Sequence, residues 1–149
     1  MLAWARAMGR KPSAPELVHA CITLAALFRQ STAAALAPLG LTPEQHELLE
    51  AVERGVQQPG AVADALSRDK TTLSRSIARA VKAGFLTQAK SKNDKRKQQL
   101  SLTSKGRAKL LQSRLVLQQI SPLLLSVLTP KDMRRLQKIV RKLMRLPPA

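Results

Sequence analysis

The chain has 149 residues, 44% of them hydrophobic, which suffices for one domain with its own core. Lys and Arg number 26 against 9 acids, a net +17 whose self-repulsion points to a polyanionic partner, nucleic acid ahead of an anionic membrane surface. One cysteine excludes an intrachain disulfide, and 2% aromatics with no Tyr leave almost nothing on which single-stranded bases would stack.

Residues 1–12 read as a basic arm whose apolar run is too short and broken for a secretory segment. No stretch approaches the roughly 18 apolar residues that cross a bilayer, so the expectation is a soluble, cytoplasmic protein. From Pro15, Leu17, Cys21, Leu24 and Phe28 recur at helical spacing until about Leu36, with almost no charge between Glu16 and Arg29. A face that apolar meets another element or another subunit. Thr42-Pro43-Glu44-Gln45 opens a second helix: Thr42 caps, Pro43 suits the first helical position and Gln45 completes a capping box. This helix carries Leu48, Leu49 and Val52 inward, ends near Gly55, and collects Glu44, Glu47, Glu50 and Glu53. A short helix over 61–66 follows Pro59-Gly60. After the turn Ser67-Arg68-Asp69, a helix capped by Asp69 runs to Ala83 and stops at Gly84.

Two helices joined by a tight turn make a helix-turn-helix. Strands over 85–90 and 97–102 then flank a turn that holds Lys92, Asp94, Lys95 and Arg96. Thr103 caps a long helix, expected to kink or break at Pro122, and Thr129-Pro130 starts the last one. The fold class is mainly α: a winged helix-turn-helix with a two-stranded β-hairpin wing.

Charge follows the same plan. Residues 68–109 hold 13 basic residues and 2 acids, while the acids gather on the helix upstream. Residues early in a recognition helix face base edges in the major groove. There Thr71, Thr72 and Ser74 are short donors and acceptors, and Arg75 and Arg79 share one face for guanine edges or phosphates. Arg96 at the hairpin tip suits the minor groove, with Asp94 holding its guanidinium and Lys92, Lys95 and Lys97 on phosphates. Alone, the helix reads as a solvated amphipathic face and the turn as a solvated loop; in sequence they favour a DNA-reading head.

Leu41-Thr42-x-x-Gln45, Thr72-Leu73-Ser74-Arg75, Gly84-Phe85-Leu86, Asp94-Lys95-Arg96 and Leu102-Thr103-x-x-Gly106 together resemble the MarR family of bacterial transcription regulators over residues 41–106. The resemblance implies a homodimer with interlocked terminal helices (13–37 and 104–146) and a DNA-binding lobe over 41–103. It also implies a pseudo-palindromic operator, Arg96 as the minor-groove arginine and Asp94 as its support. Relatives that respond to ligands bind small, often phenolic effectors, and a small-molecule effector is an open expectation for this chain. Where the family usually has Leu-Glu ahead of the glycine, this chain has Ala80-Val81.

Cys21 lies where some relatives carry a peroxide-sensing thiol, but those sensors use tyrosines, so a buried small hydrophobe is expected instead. His19 and His46 lack partners at ligand spacing, giving no metal site. No set of residues suggests catalysis or a cofactor. The expectation is a repressor of transcription on the nucleoid, released by a small effector, with no stable membrane association. Its rivals are a sequence-indifferent architectural DNA-binding protein and a membrane-surface or interaction module built on the basic last helix.

Overall fold

The computed structural model describes residues 12–90 and 97–145. Among them, six helices and a hairpin follow the expected order: α1 (Ala14–Leu36), α2 (Pro43–Glu53), α3 (Pro59–Ala65), α4 (Lys70–Lys82), β1 (Leu86–Lys90), β2 (Gln98–Leu102), α5 (Ser104–Leu124) and α6 (Pro130–Leu143). A single 3-10 turn, Ala37–Leu39, closes α1 and ends on Gly40 at φ +66°. Capping fixes where helices start. Thr42 accepts from the Gln45 amide while the Gln45 side chain accepts from the Thr42 amide, and Thr129 and Asp132 repeat the arrangement at α6.

The chain divides into two compact units, one ending at Leu117 and the other beginning at Gln118. In the first, Leu48, Leu49 and Val52 of α2 meet Val62 and Ala63 of α3 and Leu73, Ile77 and Ala80 of α4 in one core. Leu36 and Leu41 close it on one side and Leu110 of α5 on another. Ala80, the departure from the family pattern, is fully buried there, whereas Val81 is partly exposed. The hairpin is antiparallel, pairing Leu86 with Leu102 and Lys90 with Gln98. Its two-residue period turns Leu86, Leu100 and Leu102 into the core.

The wing is also tied to what lies before α3. The Leu100 amide donates to the Gln57 carbonyl at 2.8 Å, and the Gln99 side-chain amide donates to that of Gln57 at 2.5 Å. At its other end, Thr103 links the stop of α4 to the start of α5: its hydroxyl donates to the Gly84 carbonyl at 2.6 Å and accepts from the Gly106 amide at 2.9 Å. Lys105 adds a bond to the Ala83 carbonyl at 2.8 Å, satisfying an orphan acceptor at the C-terminus of α4.

Three expectations are corrected. α5 runs through Pro122 and ends two residues later, so proline stands in its last turn rather than breaking it. Cys21 is exposed rather than buried, because the chain's own residues do not cover that side of α1. Ala14–Leu39 holds a window of mean hydropathy 1.3, long and apolar enough by length and composition to cross a membrane. Alanines and leucines with scarcely any charge raise the average even though Thr, Ser and Gln interrupt the run.

Gly106 marks the tightest junction. A Cβ there would lie 2.0 Å from the Phe85 carbonyl oxygen and 3.2 Å from Leu102. Gly106→Ala is expected to destabilise the protein by about 1–3 kcal/mol or more, because backbone must move. Urea unfolding measures it, and an unchanged midpoint contradicts the tight junction.

Candidate nucleic-acid interface

α4 owes its register to its first turn. The Asp69 carboxylate accepts from the Thr72 amide at 2.8 Å, and that bonding holds the carboxyl below its ordinary value, so the cap is charged near neutrality. From this start, Leu73, Ile77 and Ala80 face the core, so the positions between them face solvent. Thr71, Thr72, Ser74, Arg75 and Arg79 are all exposed. The structure therefore brings the five residues expected to read the major groove onto the outward side of one helix. Lys97, at the return of the wing, is exposed as well. Lys92, Asp94, Lys95 and Arg96 lie outside the described residues.

The electrostatics separate two kinds of arginine. Four glutamates recur every third residue along α2, and each faces an arginine brought from elsewhere. Arg29 of α1 meets Glu44 at 2.7 Å, and Arg68 of the turn before α4 meets Glu47 at 2.6 Å. Arg114 of α5 holds Glu50 with two bonds, 2.6 and 3.0 Å, and Arg107 stands 3.9 Å from Glu53. Among the described residues, no acid pairs with Arg75, Arg79 or Lys97. Internal pairs neutralise the scaffold's cations and leave those of α4 free for an outside anion.

Two features of this scaffold escaped the sequence reading. Arg68, mostly buried beside Glu47, fixes the turn between α3 and α4, where Ser67 takes a left-handed φ of +50° usually left to glycine or asparagine. His46 Nδ1 lies 2.9 Å from the hydroxyl of fully buried Ser113, whose own proton goes to the Leu110 carbonyl at 2.8 Å. The His46 Nδ1 must then carry the hydrogen that Ser113 accepts. Burial pushes the imidazole below its ordinary value against the pull of Glu50 and Glu47, keeping it neutral. His46 thus joins α2 to α5. The only local hint was its place opposite the apolar residues of α2.

Two shallow pockets flank the helix. One of about 240 Å³ is lined by Pro59, Lys70, Ser74, Ile77 and Gln88, and one of about 220 Å³ by Thr42, Gln45, Thr72, Arg75 and Arg79. Among the described residues, no group of three or more His, Cys, Asp or Glu is placed to hold a metal ion.

A capped helix-turn-helix with an outward polar helix and a pinned hairpin defines a winged-helix protein. The MarR family model matches residues 39–97. The chain is 25% identical to a cysteine-to-serine mutant of MarR from E. coli complexed with operator DNA, covering 88% of this chain and 94% of that one, with a TM-score of 0.81. It is 26% identical to wild-type apo MarR from E. coli, covering 93% and 100%, with a TM-score of 0.75. BpsR of Bordetella bronchiseptica, 20% identical over 93% and 100% of the two chains, shares the fold with a TM-score of 0.82. No curated protein is similar enough to be matched. Over residues 39–97 the chain matches the MarR family of transcriptional regulators, and it shares their winged-helix fold.

Glu50→Gln removes the negative charge and one of the two acceptor oxygens of the pair with Arg114. Arg114 is 44% exposed, so screening limits the loss to about 1 kcal/mol at pH 7. The Arg114 bonds hold the folded Glu50 carboxyl below its ordinary 4.5. Its contribution is therefore complete above that value and is lost as pH falls through the lower folded one. Urea unfolding at pH 7 and near pH 3 should show the gap between wild type and variant narrowing in acid. A gap that stays constant with pH contradicts the assignment.

Proposed function

We propose that this chain is a homodimeric, sequence-specific double-stranded DNA-binding regulator of transcription, acting as a repressor on the nucleoid in the cytoplasm. The observation that carries the reading is the outward face of α4. Short polar side chains at its start and two arginines that pair with no acid among the described residues stand on a helix whose other side is locked into the core. Thr71, Thr72, Ser74, Arg75 and Arg79 read the major groove, and Lys97 with Lys92 and Lys95 takes phosphates. Arg96, supported by Asp94, enters the minor groove. The match to a MarR protein complexed with operator DNA supports DNA as the ligand.

Dimerisation rests on a different feature. Leu17, Val18, Ile22, Leu24 and Leu27 of α1 remain between 44% and 63% exposed, an apolar surface that a monomer in water would leave unsatisfied. A second copy covers it and sets two heads on a two-fold symmetric site, with half-sites about one helical turn apart. A small effector controls release, by analogy with BpsR, whose DNA binding is regulated by 6-hydroxynicotinic acid.

Selecting bound duplexes from a random pool tests the reading. A two-fold symmetric consensus is expected; a pool that stays random favours sequence-indifferent packaging of DNA instead. On the selected duplex, Arg75→Ala and Arg96→Ala are each expected to cost about 1–3 kcal/mol of affinity. Unchanged affinity for Arg96→Ala removes the wing from the reading, and unchanged affinity for Arg75→Ala removes the helix.

A further inference from the structure

α6 carries a charge pattern that the reading head on α4 does not include. At about 100° per residue, Lys131, Arg134, Arg135, Lys138, Arg141 and Lys142 fall within an arc of about 120°. Met133, Leu136, Ile139, Val140 and Leu143 fill a second arc of similar width on roughly the opposite side. All six cations are exposed, and none forms an ion pair among the described residues. The acid within the helix, Asp132, is engaged in the cap at Thr129. From Lys131 to Lys142 the row is about 17 Å long at 1.5 Å per residue. One strand of a duplex presents about five phosphates over that distance.

We propose that this row is a second, sequence-indifferent surface for duplex DNA, built on a different helix from the residues that read bases. The chemistry is point charge against phosphate: six guanidinium and ammonium groups in a line, with no short polar side chains among them to read bases. An anionic membrane would have to engage both sides of α6, its apolar side inserting. That side lacks the Trp and Phe of interfacial helices. The cations are what remains for a ligand.

The test isolates α6 by disabling the head. In the full chain carrying Arg75→Ala, Arg79→Ala and Arg96→Ala, binding to a mixed-sequence duplex of about 30 base pairs is expected to persist at low salt. Changing all six α6 cations to Gln in that background is expected to lower the affinity at least about tenfold. Changing only Arg134, Arg135 and Arg141 to Lys is expected to keep it within about threefold, which separates lost charge from lost fold. The proposal is overturned if the Gln variant binds duplex as well as its parent, or if the Lys variant fails as badly as the Gln variant. Capture by phosphatidylserine vesicles that depends on α6, without such capture by duplex, also overturns it in favour of a membrane. Failure of wild type on the selected duplex counts against the regulator reading alone, because the head-disabled arm reads α6 by itself.

Discussion

The ion pairs along α2 are the constraint on which the rest depends. Glu44, Glu47, Glu50 and Glu53 meet arginines from α1, from the turn before α4 and from α5. A single short helix thereby locates its neighbours. Individually, partly exposed pairs of this kind contribute little. Their effect here is geometric and electrostatic: they orient the elements around an apolar core, and they consume scaffold cations that would otherwise compete with α4 for an anionic ligand.

A division of labour follows. Leu73, Ile77 and Ala80 hold α4 from beneath, Asp69 fixes its start, and Lys105 with Thr103 fixes its end against α5. A helix held at both ends presents its backbone already ordered, so only the side chains lose freedom on binding. The wing is secured in the same way, by backbone and side-chain bonds to Gln57. The charge that survives this internal neutralisation lies on surfaces the core does not need. α4 combines it with short polar groups, and α6 has it without them.

Much of this was readable from residues close in sequence. The caps at Thr42, Asp69 and Thr129 act within three positions, and the core side of each helix follows from its apolar spacing. What escaped acts at a distance. Arg114 lies 64 residues from Glu50 and Ser113 lies 67 from His46, separations at which no local pattern signals a partner. Cys21 was misjudged for a related reason. Its spacing correctly placed it on a helix, but burial depends on what covers that helix, and the chain's own residues do not. At Pro122 the expected break does not occur, and the helix ends two residues beyond it.

The separation between paired and free arginines is most directly tested by the salt dependence of operator binding. Neutralising about eight phosphates per dimer gives a log–log slope near −7. The account predicts that Arg75→Gln with Arg79→Gln flattens this slope by about two units or more. Arg114→Gln, whose charge is already spent on Glu50, should leave it unchanged. A slope that responds to Arg114 and ignores Arg75 and Arg79 would contradict the account.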